Sequence, residues 1–422
     1  MSLLLLPDAG TSPVSSHRAL VRGLLERRPA WRSAPGDAEP VLAVATPDLS
    51  GSSARPAAWR ELLRHVAAQV GEPELKSQVV PWEVLAARSQ DRVGRHANQA
   101  DQLLALVARH PYLSRAQLGG VLGTSPARIA RVQGTLVERG WLRPLTVDEI
   151  PRSAIGLTRD EIERLGLVEL TATGRREAAR RLLLTGPLAE RHHGLLDQPG
   201  SARRRLLRHL AHTLGTNAVF VAFTMAASHV TRQGGDDALE EWRGAAACAR
   251  GRCRPDGYGC YRRGKARHGF LLEYDRGTER AREYSAKFTS YYRYRDGSGA
   301  ARDYAGFPTL LVVTTSERAE ARIACQAYLA SQHRGGEPLP VRLTTTTCIR
   351  QHPEGVLGPI WRGPAPARLG QEPERGYWLL GGPARGLFGV GRSPAAVPRL
   401  DWPTGRQPGT SESRRRNHGR GA

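Results

Sequence analysis

Lysine is nearly missing from this chain of 422 residues. Only Lys76, Lys265 and Lys287 occur among 62 Lys+Arg residues, and methionine appears twice. Both gaps read as GC-rich codon bias. That bias explains arginine over lysine, but not the excess of bases over 40 Asp+Glu. The formal net charge is +22 and the pI about 10.8. A charge of that size implies a polyanionic partner, either nucleic acid or an anionic membrane. Long apolar runs are also lacking, since no stretch approaches the roughly 18 residues of a membrane span. Met1 to Leu6 holds four leucines but no basic n-region, and its apolar core is too short for a signal peptide. These absences favour DNA or RNA in the cytoplasm over a membrane.

Cysteine is scarce and odd in number. Cys248, Cys253 and Cys260 cluster, while Cys325 and Cys348 lie far along the chain. The first three are spaced more widely than a zinc knuckle, and His268 is the only near fourth donor. Free cytosolic thiols are the expectation.

At this length two or three domains are expected, and a composition 40% hydrophobic and 24% charged can build real cores. Residues 1–95 form an N-terminal region of unknown role, partly disordered over its Pro/Ser/Arg-rich first 40 residues. Within it Val41 to Thr46 reads as a strand and Arg55 to Val70 as a helix. Residues 186–201 read as a linker, with Pro187, Pro199 and an adjacent His192-His193 pair that lacks metal spacing. Residues 351–422 are rich in Gly, Pro and Arg and end near Arg414-Arg415-Arg416. They are expected to be a disordered basic tail that adds nonspecific phosphate attraction.

Residues 96–185 predict a winged helix-turn-helix. Gln99 to Arg109 is helical, with Leu103, Leu104 and Val107 on one side. Ser114 caps a short second helix, and Gly123-Thr124 makes the turn. Ser125 caps the third helix, with Pro126 at its first position. That helix buries Ile129, Val132 and Leu136 and stops at Gly140. Arg128, Arg131 and Thr135 fall on its other face. Trp141 to Arg143 and Val168 to Leu170 read as strands around a long polar wing. In such a unit the helix after the turn enters the major groove, so Ser125, Arg128, Arg131 and Thr135 are the candidate DNA contacts. A three-helix unit used for protein contact is the alternative.

Residues 202–350 predict an α/β domain. A helix from about Arg203 to Thr231 has Gly215 as an irregularity, and His209 and His212 as its polar edge. Strands follow at Glu241 to Gly244, Arg254 to Arg262 and Phe270 to Asp275, with a hairpin signal at Gly257-Tyr258-Gly259. Then come a helix from Thr278 to Tyr294, a strand from Phe307 to Thr315, a helix from Arg318 to Ser331 and a strand from Val341 to Ile349. Glu273 and Asp275 stand two apart, so on a strand both point to one face. Asp256 lies upstream and Lys287 on the next helix. Three convergent carboxylates and a lysine suit a magnesium-dependent phosphodiesterase site. Lys287 has a simpler alternative, a pairing with Glu283 four residues earlier.

The segment from about Asn98 to Trp361 resembles the bacterial replication-relaxation family. The likeness rests on Leu170-Thr171-Ala172-Thr173-Gly174, on His212-Thr213-Leu214 with Asn217, and on Arg254-Pro255-Asp256-Gly257. It rests also on Glu273-Tyr274-Asp275-Arg276-Gly277-Thr278 and on Lys287 with Tyr291. The family is associated with plasmid and mobile-element replication and relaxation. The second half is also similar, more distantly, to the restriction-endonuclease-like fold, with its order α-β-β-β-α-β and its Pro-Asp…Glu-x-Lys signature. Carried over, that likeness makes Asp256 and Glu273 ligands of Mg²⁺ (or Mn²⁺). Asp275 stands where the signature has lysine, and Lys287 on the following helix is its candidate replacement.

The fold class expected is therefore a multidomain α+β / α/β chain: a winged helix-turn-helix, a nuclease-like domain and a basic tail. The expected function is a DNA-binding protein of plasmid or mobile-element replication and relaxation. It would act on double-stranded DNA, together with other plasmid replication or transfer proteins. Two alternatives stay open. One is an active Mg²⁺-dependent nuclease or nickase using Asp256, Glu273, Asp275 and Lys287. The other is a transcriptional regulator with an inert nuclease-like domain.

Overall fold

A computed structural model describes residues 98–150, 158–181, 201–297, 299–304, 306–366 and 374–378. It also describes strands at 3–5, 41–46 and 76–81 and scattered helical positions between 61 and 69. The strands near the start are β1 (Leu3–Leu5), β2 (Val41–Thr46) and β3 (Lys76–Pro81). They run parallel, with β2 in the middle. The strand expected at Val41 to Thr46 is present, and β1 and β3 were not foreseen. The expected linker lies outside the described residues except at Ser201, where a helix opens.

Three helices come next: α1 (Gln99–Arg109), α2 (Arg115–Leu122) and α3 (Pro126–Glu138). Their boundaries follow local chemistry. Asn98 and Ser114 accept the amides of Asp101 and Gln117, and Gln117 closes a capping box on Ser114. Ser125 accepts the amide of Arg128 at 3.3 Å, with Pro126 opening the helix. Strand β4 (Leu142–Pro144) pairs antiparallel with β5 (Val168–Leu170). The segment between them is not only polar loop. Thr158 and Glu161 cap α4 (Arg159–Leu165), which Gly166 ends in the left-handed region at φ 57°. After β5 comes α5 (Ala172–Arg181).

The long helix expected from Arg203 is two helices, α6 (Ser201–Arg208) and α7 (Leu210–Arg232), broken at His209. Gly215 does not interrupt α7. A Cβ there would lie 2.1 Å from the Tyr274 ring, so glycine lets the tyrosine lie on the helix. By length and composition α7 could cross a membrane, which narrows the expectation that no stretch comes close, but 67% of its apolar window is buried in the fold.

The rest of the chain alternates around one sheet. Its elements are β6 (Asp237–Gly244), α8 (Ala245–Cys248), β7 (Gly257–Arg263), β8 (Ala266–Asp275), α9 (Ala281–Asp296) and α10 (Gly299–Tyr304). Then come β9 (Thr309–Thr314), α11 (Glu317–Arg334), β10 (Val341–Thr345) and α12 (Thr346–Gln351). The strand order is β10-β9-β8-β7-β6, with β10, β9 and β8 parallel and the other pairs antiparallel. Gly257 and Gly259 sit inside β7, not at a hairpin turn. A Cβ on Gly259 would come within 2.2 Å of the Phe270 ring, so this glycine marks a ring lying across a strand. The turn is at Gly264, with Arg263 opposite Ala266. The threonine run expected to continue β10 turns helical at Thr346, because Thr345 caps α12 through Cys348 N–H.

Both faces of the sheet are covered, so alternate residues of β8 enter different cores. Phe270, Leu272 and Tyr274 pack with Phe220 and Phe223 of α7. Leu271 packs with Tyr284, Phe288 and Tyr291 of α9 and Ile323 of α11. The first core also takes in Leu103, Leu118 and Ile129. His110 stacks on Trp242 with centroids 3.6 Å apart, and Asn217 Nδ2 donates to Pro111 O at 2.9 Å. The three helices and the sheet thus share one interior.

The start of the expected tail is part of this fold. Leu343 and Arg362 exchange backbone bonds of 2.9 Å, Trp361 is 1% exposed, and Trp378 stands 5.4 Å from Phe270. Arg375 forks onto Glu320 at 2.9 and 2.8 Å. Apolar side chains at Val356, Ile360, Trp361 and Trp378 outweigh the Gly/Pro content that suggested a tail from residue 351. Residues 367–373 and 379–422 lie outside the described residues.

Candidate functional site

The carboxylates singled out in the sequence gather at the C-terminal end of β8. Strand alternation points Glu273 and Asp275 to the α9 face, each 3% exposed. Asp256 precedes β7, and its N–H donates to Leu272 O at 2.9 Å. Its Oδ2 accepts the Tyr274 N–H at 2.8 Å and lies 3.1 Å from His212 Nε2. Lys287 is brought in by α9 and donates to Glu273 Oε2 and Glu279 Oε1, both at 2.8 Å. Its partners are these two glutamates rather than Glu283, which instead caps α9 at Arg280. Tyr291, one turn beyond Lys287, donates to Glu273 Oε1.

Burial and charge compete in this cluster. Burial pushes the Glu273 carboxyl up to about 7 against the pull of Lys287. Burial acts to lower Lys287, but Glu273, Glu279 and Asp256 hold its ammonium above the ordinary lysine range. For His212, burial is outweighed by Asp256, so the imidazole is held up. Asp256 is held down, because His212, Lys287 and the Tyr274 amide together overcome its burial.

Asp275 behaves differently. Neither of its oxygens has a hydrogen-bond partner among the described residues, and Arg322 Nη2 stands 4.0 Å away. The Tyr284 phenol is pushed well up, first by burial and then by Asp275, Glu279 and Glu273.

The fit to Mg²⁺ or Mn²⁺ is poor. Both oxygens of Glu273 are engaged by Lys287 and Tyr291, and Asp256 Oδ2 is shared by an amide and a histidine. Among the described residues, no group of three or more His, Cys, Asp or Glu side chains is placed to hold a metal ion. As arranged, the network is a clasp: His212 of α7, Asp256, β8 and α9 are joined around one end of the sheet. The five cysteines are free, and burial pushes the Cys248 and Cys253 thiols up to about 12.

The second set of candidates lies on α3. Ser125 is the helix cap. Arg128, Arg131 and Thr135 are exposed, while Ile129 and Leu136 are fully buried. Arg128 Nε is tied to Gln99 Oε1 at 2.7 Å. Arg131 makes no side-chain hydrogen bond or ion pair among the described residues, and Thr135 Oγ1 bonds only to Arg131 O, at 3.3 Å. The hairpin segment contrasts with this. Arg143 pairs with Glu149 and Glu169, Arg203 joins both, and Tyr112 OH donates to Glu169 at 2.7 Å.

Sequence reasoning left out His212 and Glu279. The His212–Asp256 pair spans 44 residues, and no local pattern announces it. Tyr291 was named beside Lys287 in the family likeness, but was not among the candidate site residues.

Residues 104–311 match the protein family described as replication-relaxation. The match begins within α1 and ends within β9, so it takes in α3, His212 and the whole clasp. No curated protein and no solved structure matches the chain.

Proposed function

With residues 104–311 a replication-relaxation region, we propose that the chain is a DNA-binding protein of plasmid or mobile-element replication and relaxation. In this reading α1 to α3 with β4 and β5 are a winged helix-turn-helix, and α3 enters the major groove of double-stranded DNA. The observation that carries it is the unpaired, exposed Arg131 beside Arg128 and Thr135 on a helix whose opposite side is fully buried. A net charge of +22 supplies the attraction to phosphate. The partners implied are duplex DNA and other plasmid replication or transfer proteins in the cytoplasm.

The sheet unit is read as a nuclease-like domain in which the clasp is structural. The engaged oxygens of Glu273 favour this over an active nickase. Among DNA-binding roles, the family match favours replication over transcriptional regulation.

The test is binding of the full chain to a labelled duplex across a salt series, beside Arg128→Glu/Arg131→Glu. The variant should bind far more weakly, with a log–log salt slope flatter by about 2, since each lost phosphate contact removes roughly 0.9. Equal affinity and slope would remove α3 from the interface. Supercoiled plasmid incubated with Mg²⁺ or Mn²⁺ should stay intact, and nicking lost in Glu273→Ala would restore the enzyme reading.

A further inference from the structure

Several arginines in this fold are held by carboxylates. Arg203, Arg250, Arg263, Arg334 and Arg375 meet carboxylates at 2.8, 2.9, 2.9, 2.5 and 2.8 Å. Helix α6 gathers three that are not. Arg204, Arg205 and Arg208 are exposed, and none of their side chains forms a hydrogen bond or ion pair among the described residues. Arg204 and Arg208 are four apart and Arg205 and Arg208 three apart, so the three share one side of the helix. Arg276, just past the end of β8, is likewise unpaired among the described residues. His209, at the break between α6 and α7, feels Arg205, Arg208 and Arg276 together, which places these three around it.

Like charges crowded without counter-charges destabilise a fold, so such a patch calls for an external anion. Guanidinium forks match phosphate oxygens in pairs. The patch is also held rigidly. Leu207, Leu210 and Leu214 pack with Leu145, Ile150 and Ile162 of the segment between β4 and β5, and Arg203 ties α6 to Glu149 and Glu169. A rigid array costs less entropy to engage than a flexible basic tail.

We propose that Arg204, Arg205, Arg208 and Arg276 form a second phosphate-binding site, distinct from α3, that grips the phosphodiester backbone of DNA. The inference rests on the DNA-binding reading above and extends the interface from α3 across the hairpin segment to α6. Its contacts are to backbone alone, so it adds affinity without sequence preference.

The experiment uses the full chain, a labelled random-sequence duplex and a salt series. Arg204→Gln/Arg205→Gln/Arg208→Gln should flatten the log–log slope by about 2 to 3. The matching triple replacement by lysine should keep most of the slope, because it keeps the charge. The lysine triple should melt as the parent does and the glutamine triple no lower, since the three side chains are exposed and the glutamines relieve their repulsion. A parental slope in the glutamine triple, with the parent binding duplex, overturns this site alone. Failure of the parent to bind duplex at all overturns both this site and the DNA reading. Binding to vesicles of anionic phospholipid that the glutamine triple loses, with duplex binding untouched, assigns the patch to a membrane and also overturns the site.

Discussion

Two clusters of charge in this molecule are built in opposite ways. At the end of β8, Glu273, Lys287, Glu279, Tyr291, Asp256 and His212 satisfy one another, with Glu273 buried. On α3 and α6, Arg131, Arg204, Arg205 and Arg208 face solvent without carboxylates among the described residues. A buried charge needs its partners at once, because an unpaired ion in a low dielectric costs several kcal/mol. An exposed charge is hydrated and stays available to a ligand. The first cluster should therefore govern stability and the second binding, although the first looked more like an active site in the sequence.

The sharpest way to break this comparison is to remove one partner from the clasp. Lys287→Ala leaves Glu273 buried beside Tyr291 alone and frees Glu279. The loss should be about 2–3 kcal/mol, below the ~3–5 kcal/mol of a fully buried pair because the lysine side chain is 33% exposed. Urea unfolding measures it, and duplex affinity should not change. A parental unfolding midpoint would mean that the pair contributes nothing.

A smaller effect follows from the Glu273 carboxyl, raised to about 7 from an ordinary value near 4.5. The native state then holds a proton that the unfolded state gives up earlier. The associated stability is fully present below about pH 4.5 and is lost as pH rises through about 7. His212, also raised, adds a loss of the same sign as pH rises through its native value. Asp256, lowered, acts oppositely and only in acid, where stability falls as its carboxylate protonates. Glu273→Gln should flatten the melting profile between pH 4.5 and 7 relative to the parent. Parallel profiles would place the proton elsewhere.

The parts legible in the sequence were those set by neighbours in the chain. Ser114 and Ser125 announced two helix starts, and the two-residue step from Glu273 to Asp275 gave their common face. Long-range packing was not legible. Gly257 and Gly259 imitate a turn, but serve two phenylalanine rings that other elements bring over them. Thr158-x-x-Glu161 is a capping box inside what read as a loop, and its signal was present but overlooked. The apolar residues around Trp361 are sparse in sequence and look like a tail until the sheet supplies a surface for them. Within the site, Lys287 was singled out for its rarity. Its partners depended on how α9 crosses β8, and so did the commitment of both Glu273 oxygens that weakens the metal reading.

The central claim is that DNA meets the outer face of α3, and cross-linking tests it most directly. A photoreactive side chain in place of Thr135, which is exposed one turn beyond Arg131, is compared with one in place of Leu329, an exposed position on α11. On irradiation with a labelled duplex, the account predicts a covalent adduct from position 135 and none from position 329. Adducts from 329 but not from 135, or equal yields from both, would contradict it.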